Sequence, residues 1–259
     1  MLEKFRRAKA PEVEALRLAE KEDNLPEPYL GERPSFADAI KADEKGMKII
    51  AEYKRASPSK GDINLGLEAD EVAKMYASGG ASAISVLTER DYFKGDTAYL
   101  DVIKSCGLPM LRKDFLVDPL QVVETAATPA SALLVIVRMF ESDSLLKKMI
   151  ADSYAAGLDP VVEVFDSSDL DRAKAVGAKI IQVNNRDLNT LTMDMNRSIE
   201  YIRRKEKDEI WICASGINTP EDCAQMAGLG YDAVLIGTSI MSSPNPESKL
   251  AALVGGGSK

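Results

Sequence analysis

Apolar residues gather along the chain in short runs that return at a nearly even interval, at 47–54, 81–88, 108–115, 132–139, 159–165, 178–185, 210–216 and 232–239. A short aliphatic run bounded by turn residues reads as a buried strand. Between the runs lie charged or amphipathic segments of helical character, among them Leu67–Ser78, Leu120–Thr128, Ser142–Ala156 and Ser167–Val176. Strands that alternate with helices pair in parallel through right-handed crossovers. Eight such units in 259 residues predict one α/β domain, a (β/α)8 or TIM barrel over 47–254. A doubly wound open sheet is the rival architecture. It usually carries a Gly-rich turn directly after its first strand, and none stands here.

Residues 1–46 break the pattern, being polar and rich in charge. Pro11–Asp23 has helix-forming composition, and Arg33-Pro34-Ser35 ahead of Phe36–Ile40 predicts a second, capped helix. This segment reads as an N-terminal helical extension packed on the barrel. At the other end, residues 255–259 (Gly-Gly-Gly-Ser-Lys) read as a flexible tail.

Composition narrows the function. A hydrophobic fraction of 45% with 29% charged residues is ordinary for a soluble globular protein. The net charge of -8 argues against a nucleic-acid surface, although a local cluster of cations can still hold a small anion. No apolar run is long enough to cross a bilayer and the N-terminus has no signal-peptide core, so the expected setting is the cytoplasm. Cys106, Cys213 and Cys223 lack metal-ligand spacing, and no metal site is expected. No histidine is present, which leaves Lys, Glu, Asp and Tyr to move protons near neutral pH.

Barrel enzymes carry their chemistry at the C-terminal ends of the strands. Those ends hold Glu52 and Lys54, Lys113-Asp114-Phe115, Arg138, Glu163 and Asn184-Asn185-Arg186-Asp187. Ile50, Glu52 and Lys54 share one strand parity, which aims both charges at an interior face. An ion pair sealing one strand end explains Glu52 and Lys54 as well as chemistry does. Several charged ends converging on one face favour an active site. The last two units end in small residues, Ala214-Ser215-Gly216-Ile217 and Ile236-Gly237-Thr238-Ser239, which let backbone N–H groups approach an anion. Close helix–strand packing would account for Gly216 and Gly237 almost as well.

The run Ile49-Ile50-Ala51-Glu52-Tyr53-Lys54-Arg55-Ala56-Ser57-Pro58-Ser59 resembles the first-strand signature of indole-3-glycerol phosphate synthases. The resemblance continues in order through Ser85–Glu89, Tyr92–Gly95, Leu111–Phe115, Val162–Val164, Val183–Leu188, Ser215–Ile217 and Leu235–Ser239. It implies a barrel with an N-terminal extension that closes the indole ring of the tryptophan pathway. The implied substrate is 1-(2-carboxyphenylamino)-1-deoxyribulose 5-phosphate, which loses carbon dioxide and water with no cofactor. By motif position, Lys113 would be the general acid, Lys54 would bind the substrate carboxylate and Glu163 would be the acid/base of dehydration. Glu52 would hold the lysines, while Asn184 and Arg186 would position hydroxyl and carboxylate groups. Ser57, Gly216, Gly237 and Thr238 would cradle the phosphate, and Ser215 would bind the substrate. Phe93 and Phe115 would pack on the aromatic ring.

Three residues depart from the family pattern. Ala214 stands where a glutamate is usual, Gln182 where a glycine is common, and Phe165 where a polar residue is frequent. They leave room for two other readings, a lysine-dependent aldolase acting through a Schiff base at Lys54 or Lys113 and a disabled barrel that only binds sugar phosphates. The expected partner is a small phosphorylated substrate, with no nucleic acid and no membrane. With no obvious apolar surface helix, a monomer is expected.

Overall fold

The computed structural model describes residues 1–44 and 46–256. Eight parallel strands close into a barrel: β1 (Lys48–Tyr53), β2 (Ala83–Leu87), β3 (Met110–Lys113), β4 (Ala132–Ile136), β5 (Asp159–Val164), β6 (Ile180–Asn184), β7 (Ile210–Ala214) and β8 (Ala233–Ile236). They neighbour one another in chain order, and β8 returns to β1 with Ile50 opposite Leu235 and Ala51 opposite Ile236. All of Ile49–Tyr53 and Ile180–Asn184 is buried, since one face of each strand fills the barrel and the other lies under helices. A ribbon pairing Ala56–Ser57 with Gly61–Asp62 follows β1.

The helices are α1 (Leu2–Lys21), α2 (Phe36–Ile40), α3 (Ala69–Ser78), α4 (Ala98–Ile103), α5 (Leu120–Ala126), α6 (Asp143–Ala155), α7 (Ser167–Ala175), α8 (Asn196–Tyr201), α9 (Pro220–Leu229), α10 (Thr238–Met241) and α11 (Pro246–Gly256). Side-chain caps start several of them. Ser142 accepts the N–H of Leu145, Asp166 that of Asp169, and Thr219 that of Asp222, whose carboxylate reaches back to the Thr219 N–H. Among the described residues no helix is long and apolar enough to cross a membrane.

The extension begins earlier than its composition predicts. α1 starts at Leu2 and carries Pro11 in its interior. The proline forfeits a hydrogen bond to the carbonyl four residues back, that of exposed Arg7, where water can substitute. Tertiary contacts outweigh that loss. Phe5 stacks on Phe115 with ring centroids 3.8 Å apart, and Lys9 lies 2.7 Å from the Asp114 carboxylate, so α1 crosses the C-terminal mouth of the barrel. The chain then runs down beside α5, where the Tyr29 N–H donates to the Ala126 carbonyl (2.9 Å) and the Arg33 guanidinium to that of Thr128 (2.9 Å). α2 packs at the opposite end, with the Ala37 N–H 3.0 Å from the carboxylate of Asp159, the first residue of β5. The extension therefore covers both ends of the barrel.

α11 extends through Gly255 and Gly256, two residues assigned above to a flexible tail. A side chain at Gly256 would stand 2.4 Å from the Pro220 Cβ, so the helix end seats directly on the start of α9. Residues 257–259 lie outside the described residues.

Candidate active site

A cavity of about 430 Å³ opens at the C-terminal mouth. At its centre is Glu52, only 2% exposed, with Lys54 Nζ 2.7 Å from Oε1 and Lys113 Nζ 3.2 Å from Oε2. One carboxylate thus bridges the ammonium groups of two strand ends. Burial alone would raise the Glu52 carboxyl, but attraction to Lys113 and then Lys54, with hydrogen bonds from both, brings it down to about 2. Burial would lower Lys113. Glu52 and Glu163 oppose this and hold it above the usual ammonium value, so it stays protonated and able to donate.

Glu163, on the inward face of β5, is 1% exposed. Burial pushes its carboxyl up, against the pull of Lys113 and hydrogen bonds from Gln182 and Asn184. Asn184 Nδ2 reaches Glu163 Oε2 at 3.2 Å while its Oδ1 accepts the Arg186 N–H at 3.0 Å. Glu52 and Glu163 are therefore two carboxyl groups pushed in opposite directions, one held as an anion and one fitted to exchange a proton.

Phe93 and Phe115 form an aromatic wall, 6.0 Å apart and tilted by 41°. Glu89 shapes the loop behind it by accepting the N–H groups of Tyr92 (2.8 Å) and Phe93 (3.0 Å). Phe5 completes the wall from α1, a contribution that the sequence reading missed. The spacing of Leu2, Phe5, Lys9, Val13 and Leu16 along one helix face carried that signal.

Around the closure of the barrel, Ser57, Ser215, Gly216, Gly237 and Thr238 line the cavity. Ser215 and Gly216 both take positive φ, 69° and 90°, a backbone turn that exposes N–H groups. Gly237 has a second reason to lack a side chain, because a Cβ there would lie 2.3 Å from Glu52 Oε1. All thirteen residues to which the resemblance gives a role, namely Glu52, Lys54, Ser57, Phe93, Lys113, Phe115, Glu163, Asn184, Arg186, Ser215, Gly216, Gly237 and Thr238, line this cavity. No three His, Cys, Asp or Glu side chains among the described residues are grouped as metal ligands.

The family model described as indole-3-glycerol phosphate synthase matches residues 2–253. The chain belongs to the indole-3-glycerol phosphate synthase family. The synthase of Aquifex aeolicus (strain VF5) is 45% identical over 234 residues, covering 88% of this chain and 90% of that protein. That of Chloroherpeton thalassium (strain ATCC 35110 / GB-78) is 40% identical over 253 residues, 93% of this chain and 95% of its own. Among solved structures, 3-hexulose-6-phosphate synthase from Salmonella typhimurium superposes with a TM-score of 0.60 at 15% identity, covering 81% of this chain and 98% of that one. That likeness shows the barrel alone.

Within the indole-3-glycerol phosphate synthase family, the departures at Ala214, Gln182 and Phe165 acquire structural meaning. Ala214 lies opposite Asn184 in the β6–β7 register and lines the cavity. Arg186 forms no ion pair among the described residues and donates to the Leu191 carbonyl at 3.1 Å. Gln182 is wholly buried beneath Glu163. Phe165 stays out of the cavity and packs under Arg138, whose guanidinium lies 4.9 Å from the ring centroid.

Two of the charged strand ends prove to be structural. Arg138 turns away from the cavity and is held by Asp166, Asp169 (2.7 Å) and Asp187 (3.2 Å). Asp114 faces Lys9, Arg112 and Thr88. Strand alternation explains it, since Asp114 has opposite parity to Lys113. Asn185 likewise points into the β6–β7 packing, donating to the Ser215 carbonyl at 3.1 Å.

Proposed function

We propose that this cavity performs the family's reaction on 1-(2-carboxyphenylamino)-1-deoxyribulose 5-phosphate: ring closure, loss of carbon dioxide and loss of water. The enzyme is a carbon–carbon lyase of tryptophan biosynthesis. One observation carries the assignment of roles, the Glu52 carboxylate bridging Lys54 and Lys113 beside an aromatic wall.

Lys113 donates a proton to the substrate carbonyl oxygen as the ring carbon bonds to the carbonyl carbon. Its ammonium form is favoured by Glu52 and Glu163, which also opposes a Schiff-base role, since that needs a free amine. Lys54 neutralises the substrate carboxylate until carbon dioxide leaves. Glu163 then serves the dehydration, removing the ring proton and assisting departure of the hydroxyl with Asn184 alongside. Phe5, Phe93 and Phe115 hold the aryl ring in a water-poor setting. Ser57, Gly216, Gly237 and Thr238 receive the phosphate, with Ser215 at its edge and Arg186 over the sugar hydroxyls. No cofactor is needed, because the ring made cationic on closure takes up the electron pair that departing carbon dioxide leaves. The acidic surface supports a small-molecule partner over nucleic acid, and a monomer in the cytoplasm is the proposed setting.

The test is steady-state turnover followed by indole fluorescence, beside Lys113→Ala. Loss of roughly 10²–10⁴-fold in kcat, with substrate still bound, is expected. Absence of turnover in the unaltered enzyme would overturn the assignment.

A further inference from the structure

Glu163 rests on two amides that differ in one respect. Both Gln182 Nε2 and Asn184 Nδ2 donate to its Oε2. The Asn184 amide is fixed from behind, because its Oδ1 accepts the Arg186 N–H at 3.0 Å. Gln182 has no such anchor. It is fully buried, pairs with Glu163 in the β5–β6 register, and its Oε1 has no hydrogen-bond partner. A buried acceptor without a donor is costly, and a protein interior seldom keeps one without a reason.

A half-turn of the amide about its last side-chain torsion exchanges Nε2 and Oε1. Asn184 cannot make that turn without breaking its bond to Arg186, whereas the Gln182 oxygen has no bond to break. We propose that Gln182 is a positioning residue that supports Glu163 in both of its proton states, donating to the carboxylate and, after this turn, accepting the O–H of the acid. Asn184 keeps donating to the same oxygen throughout, since a carboxylic hydroxyl can accept one hydrogen bond while giving another. Gln182 has no surface in the cavity, so it acts through Glu163 and does not touch substrate.

The groups facing Glu163 define what a titration would read. Lys113 comes from β3, and Glu52, itself bonded to Lys54, from β1. β4 presents apolar Ile136 opposite Glu163, β6 adds Asn184, and Arg186 and Ala214 line the same cavity beyond it. Of these, only Glu52 and the Asn184 oxygen could accept the O–H of Glu163, and both are engaged, Glu52 by Lys54 and Lys113 and Asn184 by the Arg186 N–H.

The inference rests on Glu163 exchanging protons during turnover, and Gln182→Met tests it by removing both amide functions at similar volume. Removing the charge-assisted donation to the carboxylate costs more than removing acceptance from the neutral acid, so the Glu163 limb of the kcat–pH profile should move to higher pH by about half a unit, less than loss of a fixed donor would give. At neutral pH, kcat should fall roughly tenfold with KM within about twofold, since substrate contacts are intact. In a Glu163→Gln background the same substitution should change nothing further. The 13C shift of the Glu163 carboxyl in the free enzyme reads the same titration without turnover, which separates failure of this inference from failure of the proposed reaction. Should Gln182→Met not fold, Gln182→Gly removes the amide without crowding the barrel. A titration and a pH profile that overlay those of the unaltered enzyme, or an equal loss in the Glu163→Gln background, would overturn the proposal.

Discussion

Lys9, in the middle of α1, places its ammonium 2.7 Å from the carboxylate of Asp114, the residue next to Lys113. The pair is almost fully buried, and Glu12 shares the same ammonium at 2.9 Å. The roof of the cavity is therefore bolted to the strand that carries the proposed general acid. Lys9→Met leaves Asp114 with Arg112, Thr88 and the Phe115 N–H in a dry setting, without its closest cation. A loss of about 3 kcal/mol is expected, read by urea unfolding. The double variant Lys9→Met with Asp114→Asn should recover part of it, because the buried carboxylate charge is gone while Arg112 keeps Glu124.

Glu52 links pH to both rate and stability. Its folded value of about 2 lies below its ordinary 4.5, so the stability that it adds is full above about pH 4.5 and is lost as pH falls towards 2. Glu163, raised by burial, works the other way: its contribution is greatest at low pH and is lost as pH rises through its folded value. In Glu52→Gln the ammonium of Lys113 loses its main attraction and its pKa falls. The alkaline limb of the kcat–pH profile should move to lower pH, with kcat down roughly 100-fold. Acid unfolding of the same variant should lose the Glu52 share of its pH dependence between about 4.5 and 2 and keep that of other depressed carboxyls such as Asp114.

Gly237→Ala probes the same carboxylate from the residue that follows β8. The added methyl would stand 2.3 Å from Glu52 Oε1 and 3.0 Å from its Cβ, and a buried strand has little room to yield. Displacing Glu52 by a few tenths of an ångström disturbs both lysines at once. We expect kcat to fall about 100-fold with roughly 1–3 kcal/mol of stability lost, measured by turnover and urea unfolding. Retained turnover would show that Gly237 serves the phosphate alone.

The strands were legible because each is a short aliphatic run buried on both faces, and parity aimed Glu52 and Lys54 at the interior face where Lys113, Glu163 and Asn184 also line the cavity. Parity also tells Lys113 from Asp114, although both are charged neighbours at one strand end. Arg138 deceived the reading, because its chain turns into a short 3-10 segment after β4 and strand alternation no longer governs its direction. The start of α1 was hidden by Pro11, whose local penalty is overridden by Phe115 and Asp114, more than one hundred residues away in sequence. Gln182 was visible only as an odd residue for its position. Its link to Glu163 depends on the register between two strands, and no single-chain pattern displays that.

Barrel closure has a consequence for how this cavity comes into being. β1 gains its second neighbour only when β8 pairs with it, from Lys48 opposite Ala233 to Ala51 opposite Ile236, so until β8 has been synthesised β1 is an unpaired edge. Glu52, the charge around which the cavity is arranged, sits on that edge. Contacts so distant in sequence form late and slowly. The proposed catalytic constellation is thus completed in one closing event, and a half-made chain holds its two lysines without the closed ring around them.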